Sequence, residues 1–124
     1  MPEPVEVMQL GASIERIWNE RDDAKRLAAL ADIYHPDVTI YEPARVVTGH
    51  EAISAVVAAV LADMPPGFRF EVTGPTLGHH GTAVTRWRGV VPSGDVIVSG
   101  ADSAKVSDGR IIEHFFFFDP SAEA

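Results

Sequence analysis

The sequence predicts an α+β domain: three helices first, then a meander of antiparallel strands. Three observations carry this. Apolar residues recur at helical spacing as far as Leu61, and strict alternation replaces that spacing from Phe68 onward. The turn sequences GHHG, PSG and SDG then separate the later runs. Helices followed by antiparallel strands pack as helices on one face of a sheet. At 124 residues the chain reads as one domain, 1–124, with short flexible ends at about 1–6 and 120–124.

The first helix places Leu10, Ile14, Ile17 and Trp18 on one stripe, with Val7 a turn earlier. Asn19–Asp23 interrupts it, and Asp22 or Asp23 can cap the second helix, roughly Ala24 to Tyr34. Leu27, Leu30, Ala31 and Tyr34 share its stripe, and Pro36 stops it. VTIY, residues 38–41, reads as a short strand and RVV as another. Thr48 and Glu51 form a capping box for the third helix, whose apolar face is Ile53, Val56, Val57, Val60 and Leu61. MPPG ends it. FRFEVTG, TAVTRWRGVV, DVIVSGADSAKV and RIIEHFFFF are the later strands.

The last of these is unusual. Successive strand residues face opposite sides, so Phe115–Phe118 make both faces apolar. Such a sheet is dry twice over if helices cover one face and another subunit the other, or if it curls around an apolar cavity.

Composition excludes several roles. Eighteen acids against ten bases give a formal charge of −8, and the bases are scattered, so neither nucleic acid nor an anionic membrane is an expected partner. Without cysteine there is no disulfide, thiolate nucleophile or thiolate metal site. No pair of histidines has metal-ligand spacing with a third ligand nearby, so no metal is expected. The N-terminus lacks a basic region followed by an apolar run, and AISAVVAAVLA is too short to span a bilayer, so a soluble cytoplasmic protein is expected. No phosphate loop or G-x-S-x-G elbow is present.

Three residues could carry acid–base chemistry. Strand parity puts Asp102 with Val96, Val98, Gly100, Ala104 and Val106. A carboxylate on an apolar face needs hydrogen bonds, a partner or a proton. It is either a strand-edge Asp meeting water or arginine, or a pocket carboxylate with room left by Gly100 and Ala101. His114 shares a face with Ile112, Phe116 and Phe118. A lone histidine there is more often a satisfied core residue, but a neighbouring carboxylate would orient its ring and make it a general acid or base. Glu42 follows a short strand and precedes Pro43, where exposed glutamates are the rule. His79 and His80 read as solvated turn residues. Trp87, Tyr34 and Trp18 are core residues or cavity walls.

LADIYHPDVTIYEP, VTGHEAISAVVAAVL, VTRW and SGADSAKVSDGRIIEHFFFFD together resemble a SnoaL-like domain of the nuclear transport factor 2-like superfamily, over about Leu10 to Asp119. The resemblance implies a cone: a strongly curved antiparallel sheet with three helices around an apolar pocket. It implies a homodimer through the outer sheet face, with Phe115 and Phe117 packing outward while His114, Phe116 and Phe118 line the cavity. The superfamily holds ketosteroid isomerases, epoxide hydrolases, polyketide cyclases, dehydratases and non-catalytic binding modules, so fold alone leaves function open. Glu42 falls where the isomerases keep their carboxylate base, and Asp102 where they keep a protonated Asp that donates to an oxyanion. Their first-helix tyrosine is replaced by Ile14, so half of that oxyanion hole is missing. The epoxide hydrolase Asp–Arg–Asp arrangement is not evident. Asp102 with His114 is closer to the cyclase-like branch.

The implied activity is cofactor-independent acid–base chemistry on a compact apolar molecule: isomerisation, cyclisation or dehydration. Glu42 would carry the proton, Asp102 would polarise or donate, and His114 would be a second acid/base. Tyr34, Trp87, Phe116 and Phe118 would shape the pocket. The alternatives are a non-catalytic ligand-binding or dimerisation module and a protein-interaction domain using the dry sheet face.

Overall fold

The computed structural model describes residues 3–120. Three helices, α1 (Val5–Ala12), α2 (Asp23–Ile33) and α3 (His50–Asp63), pack on a curved, unclosed sheet. Its strands are β1 (Tyr34–Glu42), β2 (Arg45–Thr48), β3 (Arg69–Val72), β4 (Leu77–His79), β5 (Thr82–Val90), β6 (Val96–Ser107) and β7 (Arg110–Phe118). The order is β2-β1-β7-β6-β5-β3, with β4 also on β5. The α+β class is as expected, but the sheet is mixed rather than wholly antiparallel, because β1 runs parallel to β7. The connection between them is the rest of the domain, long enough to return the chain in the same direction. Among the described residues no helix is long and apolar enough to cross a membrane.

α1 begins at Val5, inside the stretch expected to form a flexible end; residues 1, 2 and 121–124 lie outside the described residues. The helix runs on into a π-helical segment, Ser13–Ile17, closed by a bond from the Trp18 N–H to the Ser13 carbonyl. Ser13 Oγ donates to the Leu10 carbonyl at 2.7 Å, satisfying an acceptor that the wider turn displaces. Leu10, Ile14, Ile17 and Trp18 are all buried, as their spacing predicts.

Asp22 caps α2 by accepting from the Lys25 N–H at 2.9 Å. The helix stops one residue earlier than expected. Tyr34 is not on its stripe but opens β1, with Pro36 in the stretch where β1 loses register between Tyr34 and Thr39. The proline's missing N–H therefore costs the ladder no bond. The expected Thr48–Glu51 capping box does not form. Thr48 belongs to β2, and its hydroxyl meets Thr39 Oγ1 across the strand pair at 2.8 Å. Gly49, at φ +93°, makes the turn into α3 instead, a conformation glycine adopts without strain.

In β7 the predicted alternation slips by one residue. Ser107 pairs with Arg110 and Val106 with Ile111, but Lys105 pairs with Glu113. This bulge turns Ile111 inward, fully buried, in place of Ile112. His114, Phe116 and Phe118 keep the faces that parity assigned. Phe115 stacks on Tyr41 on the outer face, centroids 4.5 Å apart, and Phe117 stands 57% exposed.

Candidate functional site

The sheet's inner face and two helices enclose a pocket of about 150 Å³. Ile14 and Trp18 contribute from the first helical stretch, and Val60 and Met64 from α3 and its end. Phe70, Trp87, Val98, Phe116 and Phe118 are the apolar wall given by the sheet, and Asp102 and Glu42 are its two carboxylates.

Strand register explains why Asp102 meets the groups it does. Asp102 sits opposite Thr85 on β5 and Phe116 on β7. Its diagonal neighbours are Trp87, opposite Gly100, and His114, opposite Ala104. Diagonal pairs lie within reach of long side chains, and the small residues facing Trp87 and His114 leave their rings room to lean over β6. Trp87 Nε1 donates to Asp102 Oδ1 at 2.7 Å, and His114 Nε2 lies 2.8 Å from Oδ2. Behind the imidazole, Tyr34 Oη is 2.7 Å from Nδ1 and accepts from Trp18 Nε1 at 3.3 Å. The ring of His114 stacks on Phe116, centroids 4.1 Å apart.

The direction of each hydrogen bond follows. Burial pushes the Tyr34 hydroxyl well above its ordinary range; the Trp18 N–H opposes this, while the charges of Asp102 and Glu42 add to it. Tyr34 thus keeps its proton, and because Trp18 already donates to its oxygen, His114 Nδ1 is the acceptor within its reach. Nε2 is then the ring nitrogen that donates to Asp102 Oδ2. Asp102 accepts on both oxygens, from Trp87 and from His114. The chain of donors runs Trp18, Tyr34, His114, Asp102, with Trp87 closing it from the other side. Among the described residues no buried side-chain polar atom is left unpaired.

This geometry revises several expected roles. Asp102 lines the pocket, with its two oxygens held by Trp87 and His114. His114 is fully buried behind Asp102, outside the pocket lining, with Nε2 against that carboxyl group. Tyr34 likewise does not shape the pocket; it is fully buried at the far side of His114. Glu42 is at the wall, but Arg45 holds both its oxygens, at 2.7 and 3.3 Å. That hydrogen bonding raises the Arg45 guanidinium further above its ordinary value. Trp87, Phe116 and Phe118 stand where expected. Ile14 also lines the pocket, so an apolar side chain occupies the place of the isomerases' tyrosine. The room expected beside Gly100 is filled by the Trp87 ring and the Phe117 carbonyl. Val60, Phe70 and Val98 were read only as helix or strand apolars and Met64 only as part of the helix stop; nothing in their spacing marks a cavity. Among the described residues no group of three His, Asp or Glu is placed to hold a metal.

Residues 13–114 match the SnoaL-like domain family. The chain belongs to that family. Solved structures agree with this SnoaL-like fold. A candidate isomerase of the SnoaL-like family from Agrobacterium tumefaciens is similar at 25% identity and TM-score 0.84, over 94% of this chain and 98% of that one. A candidate ketosteroid isomerase from Kribbella flavida is 16% identical with TM-score 0.72, over 97% of this chain and 82% of that one. A candidate SnoaL-like polyketide cyclase from Jannaschia is 21% identical with TM-score 0.68, over 96% and 90% of the two chains. No curated protein matches the SnoaL-like chain in sequence.

Proposed function

We propose that this SnoaL-like domain binds a compact, mostly apolar molecule and moves a proton on it without a cofactor, as isomerases, cyclases and dehydratases do. The observation that supports it is Asp102: a carboxyl group, 2% exposed, on the wall of a mostly apolar pocket. A carboxylate stripped of water and held in one orientation is a stronger base than one in solution. Asp102 takes the proton. Trp87 and His114 fix its plane, Tyr34 fixes the tautomer of His114, and Trp18, Phe70, Phe116 and Phe118 hold the substrate's apolar body. Glu42, tied to Arg45, orients polar groups at the wall. The isomerase and cyclase descriptions of the structural neighbours fit this class of chemistry.

Nitrobenzisoxazole is a direct probe, because a single base opens its ring. The C–H bond breaks, the electron pair forms the nitrile, and the N–O bond releases a coloured phenolate. The protein is expected to turn it over saturably, and Asp102→Asn to lower kcat by about 100-fold or more. Turnover no faster than free acetate at equal carboxylate concentration would sink the catalytic reading.

A second reading is a non-catalytic binding module of the same fold. The closed network favours it, since Asp102, His114, Tyr34 and both indoles satisfy one another with no ligand present. It predicts saturable binding with no turnover.

In either case we take the outer sheet face to be covered by a second copy of the chain. Phe117 is 57% exposed there, on the same face as Phe115, and Val84, two strands away on β5, is 47% exposed. Light scattering is expected to report a dimer, and Phe117→Asp a monomer; a monomeric wild type at micromolar concentration would count against the pairing.

A further inference from the structure

The two acidic groups of the pocket are held differently. Asp102 is almost fully buried, gripped by the Trp87 indole and the His114 imidazole. Glu42, the other carboxylate at the wall, is matched by Arg45. No lysine or arginine lines the pocket. Asp102 therefore has no lysine or arginine facing it across the pocket, and a carboxylate in apolar surroundings is stabilised by a cation placed there. Around it stand the rings of Trp18, Phe70, Trp87, Phe116 and Phe118. Aromatic faces carry negative quadrupole and attract cations, tryptophan most of all.

We propose that the ligand is a compact organic cation, a protonated or quaternary amine or an iminium ion. Its positive nitrogen lies toward Asp102 and its apolar body lies among the rings. This rests on the reading of Asp102 as the pocket's working carboxylate and names the substrate class for it. A volume of about 150 Å³ sets the size at about one six-membered ring with a short side arm.

The same assignment accounts for the absent oxyanion hole. Deprotonating a neutral carbonyl compound makes an oxyanion, which needs donors aimed at it. Here Ile14 offers none, Trp18 Nε1 is spent on Tyr34, and Trp87 Nε1 is spent on Asp102 itself. An iminium substrate makes no anion. The C–H bond next to the C=N⁺ group breaks and its proton goes to Asp102. The electron pair left on carbon forms a C=C bond, and the C=N π pair moves onto nitrogen, which becomes neutral. Where the substrate carries a further C=C bond next to that carbon, the product is a dienamine; returning the proton to its far carbon draws the nitrogen pair back into C=N⁺ and shifts the double bond, with no co-reactant.

The test is a fluorescence titration, since both tryptophans of the chain are pocket walls. The probes are benzylammonium, benzyl alcohol and benzoate, near in size and different in charge. Benzylammonium is expected to saturate the quenching and to bind at least about tenfold more tightly than benzyl alcohol, with benzoate weakest. In Asp102→Asn, checked for folding by circular dichroism, the preference for the cation should fall to within about threefold. Should that variant fail to fold, the ranking of the three probes on the wild type decides the matter alone. Benzyl alcohol binding as tightly as benzylammonium overturns the cation assignment and leaves the apolar pocket intact. Saturation by none of the three overturns the pocket reading as well. Selective benzylammonium binding with no opening of nitrobenzisoxazole keeps the ligand class and removes the catalysis.

Discussion

His114→Ala is expected to destabilise the domain by about 3–5 kcal/mol, read as a lowered denaturant midpoint at unchanged slope. Two costs add. The imidazole is fully buried and stacked on Phe116, so its removal leaves a void that the flanking strands cannot close. It also strips the Tyr34 hydroxyl of its acceptor and Asp102 Oδ2 of its donor, and buried polar groups left unpaired bear their desolvation in full. Tyr34→Phe separates the two costs. It keeps the ring and removes only the hydroxyl, so it should lose about 1–3 kcal/mol. It should also free the imidazole tautomer. A long-range proton–nitrogen spectrum of the wild type should show His114 protonated at Nε2 and bare at Nδ1, and Tyr34→Phe should show a mixture. A wild-type proton on Nδ1 would reverse the polarity of the whole chain and unseat Asp102 as the base.

The helices and most strands were legible because each is written locally. Leu10, Ile14, Ile17 and Trp18 lie at one helical period, and FRFEV alternates with a buried Phe70 between exposed Arg69 and half-buried Glu71. What escaped was set across the sheet. The parallel pairing of β1 with β7 joins residues from opposite ends of the domain, such as Ile40 and His114, and neither strand carries a mark of its neighbour. Tyr34 looked helical because its spacing from Leu27, Leu30 and Ala31 is helical. The stretch that follows instead obeys the partner strand, a tertiary choice overriding a local pattern. The Thr48 hydroxyl was claimed by Thr39 across the β1–β2 pair before it could cap α3.

The site was half legible for the same reason. Parity put Asp102 and His114 on inward faces correctly. It could not say that they touch, since this depends on a bulge that shifts β7 by one residue. Without that shift Asp102 would face Phe115 rather than Phe116, and His114 would fall out of diagonal reach. Nor could parity show that His114 stands behind Asp102 with Tyr34 behind it in turn. The site's layering is a property of this chain of buried contacts, which sets behind Asp102 a histidine that the resemblance placed on the cavity wall.

Gly100→Ala should prove about as damaging as the loss of His114, although it adds a single methyl group. Gly100 lies at the middle of the sheet, paired with Trp87 on one side and Phe118 on the other. A Cβ built on it would overlap the backbone carbonyl oxygen of Phe117 and come within 2.8 Å of Trp87 Cζ2. The carbonyl belongs to the β6–β7 ladder and has no rotamer to retreat into, so the strands must part or the ring must turn. Overpacking of this kind costs about 3 kcal/mol, and more where backbone has to move. The functional consequence is separate. Trp87 reaches Asp102 with its ring packed close against Gly100, so a ring pushed aside withdraws the donor from Oδ1 and changes the pocket wall at once. Nitrobenzisoxazole turnover and benzylammonium affinity should therefore both fall in whatever folded protein remains. Ala101→Gly, one residue along on the outer face, should do neither beyond the modest cost of a glycine in a strand. An unchanged midpoint in Gly100→Ala would mean that the ring and the ladder have more freedom than this packing allows.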